Sequence, residues 1–267
     1  MTNTMNIANE VAKVIGNAEV KEVEKANCVV FTGIVVKSED ANVHPTIYID
    51  QMVEDGMTVN EIAEEVLRIA HEKAVPKMDM YVLTDWEFAK THLKARLYNK
   101  STNYEISRSA EKYGFDDLII VPYLDITDLM KDGSVRVTEV LLNQWGVTVD
   151  EVLDVAEENS RQETKVQTMA EIMAEMMGME LPMDDDAPQM HVVTNDSKVF
   201  GAYSIIPLLN YFKDKFPNGF AVLPSSVHEV IVIDSDDPTL DSMVQDVNTT
   251  QVRLEEQLSD HAYRFVA

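Results

Sequence analysis

The chain has 267 residues, of which 45% are hydrophobic, and its formal net charge at pH 7 is -25. This length allows a buried core in one large domain or two small ones. The negative charge argues against sequence-independent nucleic-acid binding, which needs Lys and Arg to neutralise phosphates, and against anionic membranes. The N-terminal segment lacks the pattern of a signal peptide, and no apolar run is long enough to span a membrane.

The chain contains a single cysteine, Cys28, within the apolar run CVVFTGIVV. One thiol cannot form an internal disulfide and fits a reducing compartment, so the sequence predicts a cytoplasmic protein. The apolar neighbours predict that Cys28 is a small buried hydrophobe.

The acidic charge is unevenly distributed. Residues 1–147 hold 24 acids and 15 bases, residues 148–186 hold 12 and 2, and residues 229–260 hold 9 and 1. Residues 77–112 contain seven bases against five acids, which predicts a mildly basic patch. An acidic surface can simply keep a protein soluble, whereas two concentrated acidic segments also fit a dedicated basic partner.

Hydrophobic periodicity predicts the first elements. A short amphipathic helix over 6–15 precedes a buried strand over 27–36 and a returning hairpin strand over 45–50. Three Thr-x-x-Glu pairs have the spacing of a capping box, in which hydroxyl and carboxylate bond to each other's backbone amides. These pairs are Thr58 with Glu61, Thr84 with Glu87, and Thr148 with Glu151. They predict helices starting at each Thr, the second of them running through Leu97.

The central region adds a strand and a helix. Residues 117–125 predict a strand of four apolar residues that ends at Pro122, because proline lacks an amide proton for further pairing. Residues 137–145 predict a helix closed by Gly146, which readily adopts the left-handed C-cap conformation.

The C-terminal half is denser in predicted strands. The predicted strands are 190–194, 199–203, 219–223, 229–234 and 262–266, and the predicted helices are 205–216 and 240–247. Hairpins and helices in blocks favour an α+β fold with mixed, mostly antiparallel sheets and packed amphipathic helices.

Composition changes over residues 160–190, which open polar, continue as a Met-rich helix and end in PMDDDAPQ. The predicted organisation is therefore an N-terminal α+β region over 1–159, an acidic helix and linker over 160–190, and a strand-rich α+β region over 191–267. One domain overall remains the alternative.

Ser225, Ser226, His228 and Glu229 place two hydroxyls, an imidazole and a carboxylate within five residues. This suggests a hydrolase whose candidate catalytic residues are Ser225, Ser226 and His228. However, neighbours along a strand point to opposite faces, and a Gly-X-Ser-X-Gly turn is absent from the sequence. The alternative is that the serines shape a turn and His228 bonds to nearby backbone.

The six histidines form neither an HExxH pattern nor a short two-histidine spacing, so no metal site is predicted. His191, His228 and His261, with Asp260 as a further ligand, would form one only if the fold brought them together. Neither GxxxxGK nor GxGxxG occurs, and the run 184–186 lacks the alternating ligands of an EF-hand. No cofactor is predicted.

Seven of the fifteen methionines lie within residues 169–190. Spacings of four and three place Met169, Met173 and Met176 with Ile172 on one helical face. Flexible thioethers suit a surface that accommodates variable partners, although the helix could also pack onto its own core. The predicted partner-binding residues are Met169, Met173, Met176, Asp184, Asp185 and Asp186.

Four segments of the chain read PTIYID, WGVTVDEVLDVAEEN, LPSSVHEVIVI and NTTQVRLEEQLSDHAYRF. Together they resemble an uncharacterised bacterial family, a domain of unknown function found in Gram-positive anaerobes. The resemblance spans nearly the whole chain and is weakest over residues 160–190. It implies a cytosolic bacterial protein and supplies no reaction, cofactor or catalytic residue.

The sequence favours a protein-binding module, an inhibitor or adaptor that presents acidic segments and the Met-rich helix to a basic protein partner. One version is nucleic-acid mimicry, with carboxylates replacing phosphates in a basic groove. The alternatives are a hydrolase that adds His261 or Asp260 to Ser225, Ser226 and His228, and a structural or regulatory domain without chemistry. The oligomeric state is left open.

Overall fold

The computed structural model describes residues 3–74, 77, 79–102, 104–178, 189–224 and 226–266. The chain divides into two units, Met1–Val82 and Leu83–Ala267. All strand pairings among the described residues are antiparallel, and hairpins and helices occur in blocks, which confirms the predicted α+β class. The boundaries predicted around residues 160–190 stay a prediction. None of the described helices has the length and apolar composition needed to cross a bilayer.

The first unit combines a three-stranded sheet with three helices. Its elements are α1 (Asn3–Ile15), β1 (Ala18–Glu24), β2 (Val30–Val36), β3 (Thr46–Tyr48), α2 (Asp50–Glu54) and α3 (Val59–Glu72). The strand order is β1-β2-β3, and the fully buried Ile34, Ile49 and Ile62 belong to the core between sheet and helices. The capping box at Thr58 and Glu61 is present and starts α3 as predicted.

The entrance to β2 differs from its predicted form. Asn27 and Cys28 both have a φ of 58°, so the strand predicted from residue 27 begins only at Val30. Cys28 is exposed at this turn, and the prediction that it is a buried hydrophobe is therefore wrong. Strand β1 escapes the apolar pattern because three of its seven residues are Glu.

In the second unit, the residues that the structure describes form two sheets. Its elements are α4 (Trp86–His92), β4 (Leu93–Asn99), β5 (Arg108–Ser109), β6 (Leu118–Asp125), β7 (Ser134–Arg136), α5 (Glu139–Trp145), α6 (Val149–Gln162), β8 (Thr164–Thr168), α7 (Met169–Met177), β9 (Met190–Asn195), α8 (Ile205–Lys215), β10 (Phe220–Leu223), β11 (Val230–Ile233), α9 (Leu240–Thr250) and β12 (Tyr263–Phe265). One sheet has the order β4-β6-β5, with β7 also paired to β6. The other has the order β12-β10-β11-β9-β8, so β8 is an edge strand.

Helices α5 and α6 form as their cap signals predict. Gly146 ends α5 with a φ of 69°, and the capping box of Thr148 and Glu151 starts α6. A third capping box, Thr168 with Glu171, starts α7. Local cap chemistry is thus a dependable guide to where these helices begin.

The helix predicted from Thr84 through Leu97 is wrong at both ends. Asp85 is the N-cap residue, since its carboxylate accepts the Glu87 N–H at 3.0 Å. The helix ends at His92, and the chain continues directly as β4, which pairs along its full length with β6. Tertiary pairing overrides the local helix signal here.

Pro122 does not end its strand, because β6 continues through it. Ala95 lies opposite Pro122 and donates its N–H to Ser160 Oγ at 2.8 Å instead of to β6. The two residues therefore form a non-hydrogen-bonded pair, and the proline nitrogen faces the other edge of β6. That edge has a gap between the pairings with β5 and β7, so the missing amide proton costs no ladder bond.

The strand predicted over 199–203 is also wrong. Gly201–Ser204 forms a 3-10 turn, and Phe200 before it has a φ of 55° in the left-handed region. A Cβ on Gly201 would lie 2.3 Å from Thr194 Oγ1 and 2.7 Å from the His228 carbonyl oxygen. The segment is apolar because it packs tightly against β9, not because it pairs as a strand.

The buried bond from the Ala95 N–H to Ser160 Oγ gives a stability prediction. Replacing Ser160 with Ala leaves this amide without an acceptor, so the free energy of unfolding should fall by about 1–3 kcal/mol. Urea denaturation measures the change. Ser134→Ala, at an exposed position of β7, should change it by less than about 0.5 kcal/mol. Equal effects of the two substitutions would contradict this account of β4.

Candidate functional site

Helix α7 carries the methionines predicted to bind a partner, and its side chains stay largely accessible. None of its nine residues is buried. Met169 is half-buried, whereas Met173, Met176 and Met177 are 41%, 83% and 57% exposed. Met177 extends the apolar surface that the predicted set of Met169, Met173 and Met176 defines. Asp184, Asp185 and Asp186 lie outside the described residues.

The ends of α7 are fixed by local hydrogen bonds. The Thr168 hydroxyl accepts the Glu171 N–H at 3.1 Å, and the Glu171 carboxylate accepts the Thr168 N–H at 2.7 Å. The hydrogen bonds that the Glu171 carboxylate accepts from the backbone N–H and the hydroxyl of Thr168 hold the pKa of Glu171 below its ordinary value, so the carboxylate stays ionised at neutral pH. Gly178 closes the helix in the left-handed conformation. The helix is held by its caps and a half-buried face, which leaves its outer methionines free of a packing role.

The side chains of the hydrolase hypothesis do not form a Ser–His pair among the described atoms. The Ser226 hydroxyl accepts the backbone N–H of His228 at 3.1 Å. The imidazole Nδ1 of His228 accepts the Phe200 N–H at 3.2 Å, and its Nε2 lies 3.6 Å from Glu256. Ser225 lies outside the described residues. His228 therefore fixes the backbone of the loop that precedes Gly201.

His191 points into an aromatic part of the core. It is 2% exposed, packs edge-on against Phe212 and Phe216, and its Nδ1 has no hydrogen-bond partner among the described residues. Burial, followed by the charge of Lys215, lowers the pKa of His191 below 6.5. The imidazole is therefore neutral at physiological pH.

His261 belongs to a different cluster, which joins the C-terminal segment to Asp117, the residue just before the start of β6. The Ser259 hydroxyl donates to Asp117 Oδ2 at 2.9 Å, and the Asn99 amide donates to the same oxygen at 3.2 Å. The Tyr263 hydroxyl donates to Asp117 Oδ1. His261 Nδ1 lies 2.9 Å from Ser259 Oγ, so a protonated Nδ1 donates to the hydroxyl whose own proton goes to Asp117.

Asp116, Asp117 and His261 offer ligand atoms within 4.8 Å of one another, a spacing that suits a divalent cation. Both oxygens of Asp117, however, already accept hydrogen bonds from the protein. Asp116 and Asp117 therefore approach His261, and among the described residues His191 and His228 do not join this group. Asp260, the carboxylate predicted from sequence, is exposed and 3.3 Å from His261 Nδ1. The arrangement is a hydrogen-bond network that fixes the C-terminal segment.

The predicted basic patch over residues 77–112 is partly internal. Lys94 lies 2.8 Å from both Asp125 and Glu163. Arg108 lies 2.7 Å from the buried Glu157, which also accepts a hydrogen bond from Tyr203. These bases neutralise acids inside the second unit and do not form an open basic surface.

The Asp117 network gives a second prediction. Asp117→Asn replaces one accepting oxygen with a donor, and the free energy of unfolding should fall by about 1.5–3 kcal/mol, the range for hydrogen bonds to a charged group. The adjacent Asp116→Asn, at an exposed site, is the matched control and should change stability by less than about 0.5 kcal/mol. A stability loss confined to Asp116→Asn would show that the network is not what holds this segment.

The burial of His191 gives a pH prediction. Its folded-state pKa is lowered, so the unfolded chain takes up a proton first as the pH falls below about 6.5. Stability should therefore decrease with falling pH below that value, and the decrease should be smaller in His191→Gln. An NMR titration of the His191 ring protons measures the cause directly. A midpoint at or above 6.5 would contradict the neutral, buried state.

Comparisons with known proteins identify a family by sequence. No curated protein and no solved structure matches the chain. A family model, described as a family of unknown function, matches residues 4–266. The chain therefore belongs to the family of unknown function DUF5688.

Proposed function

We propose that this protein is a protein-binding module that uses α7 and the acidic residues around it to bind a basic amphipathic segment of a partner protein. The observation that carries the proposal is the exposure of Met173, Met176 and Met177 on a helix without a buried residue. Flexible thioethers on a surface adapt to side chains of different shapes. The methionines would supply the apolar contact of the complex.

Charge specifies the kind of partner. Residues 169–190 contain six acids and no base. Two of these acids, Glu171 and Glu175, are exposed on α7 itself. An apolar surface bordered by carboxylates complements a segment that alternates apolar residues with Lys or Arg. In such a complex this protein acts as an inhibitor or adaptor of the basic partner. One version is nucleic-acid mimicry, in which its carboxylates occupy a basic nucleic-acid-binding groove of the partner.

The local structure keeps the surface ready to bind. The capping box at Thr168 and Glu171 and the C-cap at Gly178 fix both ends of α7 before any partner arrives. Gln167 on β8 also donates to Glu175 at 3.1 Å, which ties the helix to the edge strand. A helix formed in advance reduces the ordering entropy that binding must offset.

A model peptide tests the proposal. The probe is a fluorescent 14-residue helix of Leu and Lys, and its affinity is measured by anisotropy against the full chain. The variant Met173→Ser with Met176→Ser and Met177→Ser should weaken binding at least about ten-fold, since burying one Met side chain contributes on the order of 1.5–3 kcal/mol. Wild-type affinity should also fall steeply with added salt.

Two controls separate this surface from general charge attraction. Met243→Ser changes a methionine on α9 that is 47% exposed, and it should leave the affinity unchanged. A peptide with Glu in place of Lys should not bind. The proposal is wrong if the triple variant binds the Leu–Lys peptide as tightly as wild type, because binding would then depend on net charge alone.

A further inference from the structure

The guanidinium of Arg96 lies between three aromatic rings in the second unit. Its Cζ is 4.9 Å from the ring centroid of Tyr98, 5.0 Å from that of Tyr123 and 4.7 Å from that of Phe200. We call these four residues the Arg96 cage. Tyr98 shares β4 with Arg96, Tyr123 comes from β6, and Phe200 precedes the 3-10 turn. The cage thus joins two strands of one sheet to a loop that packs on the other.

Among the described residues, the Arg96 side chain has no anionic partner. The residue is 7% exposed, and it forms neither an ion pair nor a hydrogen bond with any part of the chain that the structure describes. The Nε of Arg96 is shielded from solvent and has no acceptor among the described residues. Nη1 and Nη2 are not among the atoms that are both shielded and without an acceptor, so they keep some access to solvent. The two Nη groups therefore form the accessible end of the guanidinium.

The rings around Arg96 do not supply the missing charge. Burial raises the pKa of both Tyr98 and Tyr123 well above the ordinary value of a phenol, so both side chains are neutral. Other buried or half-buried charged side chains of this unit form ion pairs. Lys94 pairs with two carboxylates, and Glu157 pairs with Arg108. Arg96 is therefore an exception to the pattern of its own surroundings.

The loop that carries Phe200 is held in an unfavourable conformation. A φ of 55° and a ψ of 27° place a bulky residue in the left-handed region, which L side chains rarely adopt. Two contacts with His228 maintain this conformation. The Phe200 N–H donates to His228 Nδ1, and the rings of Phe200 and His228 stack with their centroids 5.6 Å apart. Strain of this kind is characteristic of binding and catalytic sites.

Among the described residues, the carboxylate of Glu256 lies close to this assembly. Glu256 is 3.6 Å from His228 Nε2 but forms no ion pair with Arg96 among the described residues. It would compete with any external anion if its side chain rotated toward the guanidinium. It is therefore the residue that a test must distinguish from a ligand.

We propose that the Arg96 cage binds the oxyanion of a small molecule, a carboxylate or a phosphate, through the two Nη groups of Arg96. Two parallel N–H groups match two oxygens of either anion in a bidentate arrangement. The aromatic rings exclude water around the pair and strengthen its electrostatic attraction. This site is separate from α7, so its presence does not depend on the proposed binding of a basic partner.

The test titrates the full chain with inorganic phosphate and, separately, with acetate, in a buffer that contains only chloride as the other anion. Backbone amide shifts in NMR report both affinity and location. Saturating shifts at Tyr98 and Phe200 are expected for at least one of the two anions. Saturating shifts with phosphate alone would identify a phosphate ligand, and saturating shifts with acetate alone would identify a carboxylate ligand. Saturating shifts with both anions would indicate a site that binds either kind of oxyanion.

Variants assign the binding to the guanidinium. Arg96→Gln should weaken binding at least ten-fold, and Arg96→Lys should weaken it because a single ammonium lacks the bidentate fork. Arg161→Gln removes an exposed arginine paired with Glu158 and should leave the affinity unchanged. Glu256→Gln should retain or strengthen binding, because it removes the competing carboxylate.

Several results would overturn the proposal. It is rejected if neither anion gives a saturating shift, if the shifts lie away from Tyr98 and Phe200, or if Arg96→Gln binds as tightly as wild type. If both Arg96 variants fail to fold, two other results still test the proposal. The wild-type shifts must lie at Tyr98 and Phe200, and Glu256→Gln must retain or strengthen binding. Weaker binding in Arg161→Gln, together with unchanged binding in Arg96→Gln, would assign the signal to the surface instead.

Discussion

The enclosure of the Arg96 guanidinium is the constraint that links most features of the second unit. An isolated buried ion costs several kcal/mol even after the protein relaxes, while each cation–π contact returns about 1–2 kcal/mol when desolvated. Three rings can therefore offset much of the burial cost. They cannot satisfy the N–H donors, because the tyrosine hydroxyls and the Phe200 ring do not accept from them in the described structure. The rings of the Arg96 cage stabilise the positive charge of the guanidinium, whereas its N–H donors need an acceptor from outside the chain.

This constraint also explains the unusual loop before α8. Phe200 lies over Arg96 while its backbone is in the left-handed conformation, and a Cβ on the following Gly201 would meet backbone atoms of Asn195 and His228. His228 holds the loop because its Nδ1 accepts the Phe200 N–H, and a neutral ring with an accepting Nδ1 carries its proton on Nε2, so no lone pair is left for a general base. His228 therefore contributes to the position of Phe200, a role distinct from that of a catalytic histidine.

The sequence predicts local features far better than distant contacts. The capping boxes at Thr58 and Thr148 and the C-cap at Gly146 depend on residues within one helical turn, and all three are present. The start of β4 and the passage of β6 through Pro122 depend on pairing between strands, and their predictions fail. The Asp117 network could not be predicted either, because its partners Ser259 and Tyr263 lie more than a hundred residues away in the sequence.

The candidate sites show the same division. The Met-rich face of α7 follows from spacing alone, and the structure adds that it is exposed and that Met177 belongs to it. Arg96, in contrast, has no local signal, since its sequence neighbours contain several other bases. Only the fold separates it from Lys94 and Arg108, whose charges are paired. The acidic, Met-rich surface of α7 and the buried Arg96, which has no ion pair among the described residues, are thus two independent features with different expected ligands.

A crystal structure of the full chain grown with phosphate or acetate would show whether Arg96 binds an anion. We expect an oxyanion within hydrogen-bonding distance of both Nη1 and Nη2 of Arg96, with the rings of Tyr98, Tyr123 and Phe200 still around the guanidinium. An ion pair between Arg96 and Glu256 or another carboxylate of the chain, with no anion bound, would contradict it.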